Sequence, residues 1–153
     1  MREHEILTLT SAHPRYAEVI LTAAADPALT AAMREDGAVS WDLDDATTWT
    51  VVVRAGTSQI MAMAAWRHTV EHGMPVALCR ANHHVRAYRG YPWWHVAFAA
   101  QHEQLRALGL PMRTWVYAEP RPLLEALGWR VVDSDLTPEH VPPRWWFEMR
   151  RPA

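Results

Sequence analysis

The chain has no lysine: all fifteen of its basic residues are arginine. That excludes Schiff-base chemistry and a lysine general base. A single cysteine, Cys79, excludes an intrachain disulfide and a multi-cysteine metal site. Set among strand-forming residues, it reads as a small buried apolar side chain and not as a nucleophile. No apolar run approaches the roughly 20 residues that a membrane-spanning helix needs. The first five residues are mostly charged and lead into no apolar stretch, so a secretory signal is not expected and a cytoplasmic location is. Neither charge is in excess: seventeen acidic residues oppose fifteen basic ones, for a formal net charge of -2. The balance gives no electrostatic case for nucleic acid or an anionic membrane as partner.

What is present suits one packed domain. The 153 residues are 50% hydrophobic and 21% charged, enough for one core and too few for two. No internal repeat or low-complexity linker interrupts them, so residues 1–153 are read as a single domain. Nine tryptophans are unusual, because each indole is large and its N–H needs a partner when buried. Core packing is expected for most of them, and a cavity or interface for some.

The pattern predicts the element order β-α-α-β-β-β-α-β-α-β-β. Residues 5–10 read as a first strand, and Pro14 opens an amphipathic helix with Tyr16, Val19, Ile20 and Ala23 at helical spacing. Asp26-Pro27 is an N-cap followed by proline at the first helical position, which starts a helix through Met33. An acidic loop runs from Gly37 to Asp45. Residues 48–53 are a strand by β-branched content, residues 59–70 a long second one, and residues 76–85 a third returned by Gly73-Met74-Pro75. Residues 92–108 form the strongest helix, with Trp94, Phe98, Leu105 and Leu108 on one stripe and Gly109 as its stop. A strand over 113–117, a helix over 120–127 ended by Gly128, a strand over 129–133 and a last strand over 144–150 complete the chain. Helices lying between strands imply crossovers, hence a mixed α/β architecture with helices on both faces of one sheet.

Two local motifs sit within this order. Tyr88-Arg89-Gly90 lies at the junction of the fourth strand and the long helix. Leu123-Leu124-Glu125-Ala126-Leu127-Gly128-Trp129 ends the last helix and enters the sixth strand. With the element order, they resemble the GCN5-related N-acetyltransferase (GNAT) superfamily, over nearly the whole chain. The first is similar to the start of that family's acyl-CoA pyrophosphate loop, Arg-Gly-x-Gly-x-Gly/Ala. The second is similar to its leucine, tyrosine, glutamate, two residues, glycine, phenylalanine run. The resemblance implies a single-domain, GNAT-like, mostly antiparallel mixed sheet and N-acyltransferase activity towards a small-molecule acceptor. It implies an acyl-CoA donor, or the phosphopantetheine of an acyl carrier protein as partner, and no metal; a homodimer is a candidate assembly. The other reading is a non-catalytic small-molecule binding protein with a Trp-rich cleft.

A helix N-terminus with glycines offers free N–H groups to a pyrophosphate, and Arg89 adds a charged donor. The resemblance therefore places the donor's phosphates at Arg89 and Gly90, with Val85, Arg86, Tyr91 and His95 around them. Here the chain departs from the pattern: Pro92 replaces the second glycine and has no N–H, and Trp94 stands where glycine or alanine is usual. Weak acetyl-CoA binding is the expectation. In the last helix the family's tyrosine falls on Leu124.

The family's acceptor site lies where the fourth and fifth strands part. Period-2 alternation places Arg80, Asn82 and His84 on one face of the fourth strand and His83 on the other. His84 is the candidate general base, with His83 behind it. Glu119, after the fifth strand, is a candidate base or anchor for a cationic substrate; a charge at a helix start is its plainer role. Tyr117 and Trp115 alternate on the fifth strand as a candidate aromatic wall. Trp66 and His68 share a face of the third strand and are candidate pocket residues or a structural pair. The nine histidines do not make a metal motif: His68 and His72 span a strand and a turn, and His95 and His102 lack a carboxylate companion.

Overall fold

The computed structural model describes residues 3–35, 41–84, 93–137 and 144–153, apart from the side chains of residues 81, 82, 84 and 137. Strand β1 (His4–Leu9) leads to a π-helical turn (Ala17–Leu21) that runs into a short α1 (Thr22–Ala24) and then α2 (Pro27–Glu35). Three strands follow, β2 (Thr47–Arg54), β3 (Ile60–Glu71) and β4 (Met74–His84). The long α3 (Trp93–Ala107) precedes β5 (Met112–Val116), α4 (Arg121–Ala126), β6 (Arg130–Thr137) and β7 (Arg144–Arg151). The strands form one sheet in the order β1-β2-β3-β4-β5-β7-β6. Every neighbouring pair is antiparallel except β4 and β5.

The local chemistry accounts for the punctuation. Asp26 Oδ1 accepts the N–H of Ala28 at 3.0 Å, the N-cap of α2. The β3–β4 hairpin turns through His72 and Gly73, both at positive φ (50° and 77°). Two successive residues of that hand match the right-handed twist of the strands. Pro75 therefore lies inside β4, not in the turn. The stripe expected on α3 changes at its end. Helix α3 stops at Ala107, so Leu108 is exposed and Leu110 takes the buried position.

Each face of the sheet has its own core. On one face Tyr16, Val19, Ile20 and Met33 pack against Leu9, Trp49, Val51, Met63 and Ala65. On the other, α3 lays Ala97 over Val52 and Ala62, and Phe98 and Leu105 join Leu124 of α4 with Trp66, Cys79, Met112 and Met149. The crossovers β4–α3–β5 and β5–α4–β6 advance in the same direction across the sheet, and right-handed connection puts both helices on one side. Helices α1 and α2 cover only the β1–β3 end of the opposite face. Among the described residues, no helix covers the remainder of that face, over β4, β5 and β7.

Candidate functional site

Strands β4 and β5 pair only at Ala77–Met112 and Leu78–Arg113. A further tie, the Thr114 hydroxyl donating to the Cys79 carbonyl at 3.0 Å, lies just beyond. Past it β5 continues in register with β7 through Val116–Phe147, while β4 runs on along β3 to Ala62–His84. The two central strands thus part, and among the described residues the edge of β4 that faces β5 has no strand partner over its C-terminal half. An open parallel fork of this kind leaves backbone N–H and C=O groups available to an inserted ligand.

The fork contains a bulge. Met63 lies opposite His83 and Ala65 opposite Arg80, so two steps on β3 answer three on β4. Simple alternation therefore fails here: Arg80 and His83 share a face, the one that carries Met63 and Ala65, and His84 lies in register with Ala62. His83 is fully buried on that face. The side chains of Asn82 and His84 lie outside the described residues, as do Val85, Arg86, Arg89, Gly90, Tyr91 and Pro92.

On the helix-free face, the segment after α2 forms one wall of the fork. Asp42 pairs with Arg80 at 3.2 Å and Asp44 with Arg67 at 3.2 Å, which fixes residues 42–44 over β3 and β4. The Asp44 carboxyl is held below the ordinary range, first by the Thr47 hydroxyl and also by Arg67. Beneath this wall Tyr16 is buried, and burial together with Asp44 and Asp45 raises its phenol above the usual value.

The other wall is aromatic. Tyr117 stacks on Trp146 with ring centroids 4.1 Å apart and planes within 10°. The Arg144 guanidinium lies 3.8 Å from the Tyr117 ring centroid. Glu119 accepts two hydrogen bonds from Arg144 Nη2, both 2.8 Å. Glu119 is thus bound to an arginine at the end of β5, and Tyr117 is buried beneath that arginine. Half-buried Trp115 shares the face of Tyr117. Below it, Arg113 and Arg150 meet Glu71 and Glu148: Arg113 Nη1–Glu71 is 3.0 Å and Arg150 Nε–Glu148 is 3.1 Å. The Arg150 hydrogen bond is the main cause that holds the Glu71 carboxyl low.

Other expected site residues lie elsewhere. Trp66 is opposite Cys79 and packs into the core under α3, the face opposite Arg80. His68, opposite Ala77, is on that same covered face and exposed, 4.9 Å from the Trp66 ring centroid. Neither is brought to the Arg80 side of the fork. Burial pushes the Cys79 thiol up to about 12, a thiol that stays protonated. His95 is exposed on the first turn of α3, against Trp94. Trp94 stacks on Phe98 at 5.4 Å and joins the core, so its indole is turned towards the sheet. Among the described residues no group of three metal-ligating side chains occurs, and no helix is long and apolar enough to cross a membrane. Arg144, Trp146 and Asp42 were not singled out from sequence. They lie 25, 29 and 38 residues from Glu119, Tyr117 and Arg80, and no local pattern joins them.

No family model and no curated protein matches the sequence. Solved structures do match the fold. An acyl-CoA N-acyltransferase from Pseudomonas aeruginosa superposes with a TM-score of 0.70 at 16% identity, over 97% of this chain and 99% of that one. A GCN5-related N-acetyltransferase from Kribbella flavida gives 0.70 at 16% identity, over 99% and 98%. The ribosomal-protein-S18-alanine N-acetyltransferase from Escherichia coli gives 0.67 at 14%, over 97% and 93%. With its mostly antiparallel seven-stranded sheet, the parted β4 and β5 and the crossovers through α3 and α4, the chain has the fold of the GCN5-related N-acetyltransferases.

Proposed function

We propose that this protein is a GNAT-type N-acyltransferase. It takes an acyl group from acyl-CoA, or from the phosphopantetheine of a carrier protein, and passes it to the amine of a small molecule. The observation that carries the reading is the fork: β4 and β5 pair at two positions and then part, leaving a backbone edge with no strand partner among the described residues, between a charged wall and an aromatic one. A thioester lying along that edge would find N–H donors for the oxygen that gains charge when an amine attacks. The donor's phosphates would lie at the start of α3, by Arg89 and Gly90. His84 is the proposed proton acceptor. Glu119 now has a different proposed task from that of base, because Arg144 already holds it.

Thermal-shift measurements with acetyl-CoA, longer acyl-CoAs and free phosphopantetheine test the donor, since a ligand specific to the native state raises apparent stability. Arg89→Ala should weaken donor binding by about 1.5–3 kcal/mol if it makes a charge-assisted hydrogen bond. The missing N–H at Pro92 is expected to leave acetyl-CoA roughly ten- to a hundred-fold weaker than in a loop with the full set of donors. A donor affinity unchanged by Arg89→Ala would remove the phosphate assignment. Absence of a shift with every donor would remove the acyltransferase reading.

A further inference from the structure

Arg144 is held in a way that leaves part of it unused. Its Nη2 is spent on Glu119, and its carbon lies over the Tyr117 ring. Among the described residues, neither Nε nor Nη1 has an acceptor. Stacking between a guanidinium and an aromatic ring fixes the plane of the fork and lowers the entropy cost of using it. Tyr117 is in turn fixed from its side by Trp146, at 4.1 Å. The result is a pre-oriented planar donor at the end of β5, on the helix-free face where β4 and β5 part.

Its companion on the opposite wall differs. Arg80 is paired with Asp42, whose side chain is only 14% exposed, so that pair is built into the wall. Glu119 is 72% exposed, and a pair so open to water contributes little and yields readily to a competing anion. Of the two arginines, Arg144 is the one with both free N–H groups and a displaceable partner.

We propose that Arg144 is a specificity residue that binds a carboxylate on the acceptor, and that the acceptor class is therefore amino acids or similar amino-carboxylates. The chemistry rests on the acyltransferase reading above; the binding does not. In the transfer, the acceptor nitrogen bonds to the acyl carbon and the carbon–sulfur bond breaks. The proton lost by the amine is matched by the one gained by the thiolate, so an N-acyl amino acid and a free thiol are formed. Both two-point edges of the guanidinium include Nη2, so a planar carboxylate that displaces the exposed Glu119 would be held by Nη2 together with Nε or Nη1, fixing one end of the acceptor.

Two measurements test this. The first is release of free thiol from acyl-CoA with L-amino acids and with the matching amino-acid amides. Acids should be preferred to amides by roughly ten- to a hundred-fold in kcat/KM. Arg144→Gln should abolish that preference by raising KM for the acids alone, and Arg144→Lys should restore part of it. Equal use of acids and amides, or a loss in Arg144→Gln that is the same for both, overturns the proposal. The second measurement needs no turnover. The Arg144 Nε–H resonance should shift on titration with L-amino acids and stay in place with their amides. If no thiol is released from any donor, the acyltransferase reading fails while this titration still decides on the carboxylate site; an unmoved resonance overturns it.

Discussion

On the face covered by α3 and α4, strands β5 and β7 contribute Met112, Val116, Phe147 and Met149, packed with Phe98, Leu105 and Leu124. On the other face the intervening residues of the same two strands include Arg113, Trp115, Glu148 and Arg150, of which the charged ones are tied to one another and to Glu71. Two strands with a side-chain period of two thus carry two unlike surfaces. The covered one removes large apolar groups from water, the dominant favourable contribution to folding. The open one exchanges hydration of charges for Coulomb attraction, which comes near to cancelling. Over β5 and β7, stability therefore belongs chiefly to the covered face, and the other is at liberty to carry a binding site.

The sharpest way to break that contrast is a truncation on each face. Phe98 is fully buried and touches the rings of Trp94, His102 and Trp129. Phe98→Ala should cost about 3–5 kcal/mol in urea unfolding, the usual range for a buried aromatic. Trp115→Ala, on the half-buried side, should cost well under half as much. Similar losses for both would show that the open face bears load after all.

Glu71 gives the next effect. Glu71→Gln takes a charge from a cluster of two arginines and two glutamates and should cost about 1–3 kcal/mol at neutral pH. Acid should act likewise. A carboxyl held below its ordinary value in the fold contributes stability that is present above the unfolded value, about pH 4.3, and lost as the pH falls through the lowered one. The covered face has its own acid sensor in His102, whose ionisation is lowered chiefly by burial and also by Arg151. Its unfolded form takes up a proton first, so stability falls once the pH drops below about 6.5. The two faces should therefore separate in a pH–stability profile. His102→Gln should flatten the upper part, and Glu71→Gln the lower part. A profile unchanged by either substitution would disprove the pairing of window with face.

The elements themselves were largely legible. Asp26-Pro27, Gly109 and Gly128 act through local backbone chemistry, which a sequence displays directly: both glycines are at positive φ (66° and 91°). Besides the shifts at Pro75 and at the end of α3, and the helix expected from Pro14 that begins as a π-helical turn at Ala17, β6 was expected to end at Asp133 and continues to Thr137. Asp133, Ser134 and Asp135 are poor strand formers because such side chains compete for backbone N–H groups. They do so here within a strand: Asp133 accepts the N–H of Ser134 and Asp135 that of Leu136, each at 2.8 Å. The same bonds occupy amides of an edge strand, a guard against pairing with another chain.

The site was less legible, for reasons of distance and parity. One bulge in β4 reverses the face of every later residue, which is why Arg80 and His83 lie together while alternation had joined Arg80 to His84. Trp66 and His68 do share a face, but parity sets it opposite Arg80. The partner of Glu119 lies 25 residues away in β7, and only the pairing of β5 with β7 brings them together.

The smallest effect concerns the fork itself. Thr114 is fully buried, and its hydroxyl donates to the Cys79 carbonyl where β4 and β5 cease to pair. Valine has nearly the same shape without the donor, so Thr114→Val leaves packing intact and the carbonyl without that partner. The expected loss is about 1 kcal/mol, the net worth of one neutral hydrogen bond. Thr114→Ser keeps the donor and loses a methyl group of about 0.8 kcal/mol. Stability alone would barely separate these two variants, but ligand binding should. If the hydroxyl sets where the strands part, Thr114→Val should weaken acyl-CoA or phosphopantetheine binding more than Thr114→Ser does, each relative to its own change in stability. Equal binding in the two variants would mean that the strands part without this bond, held open by the β4 bulge and by the competing register of β5 with β7.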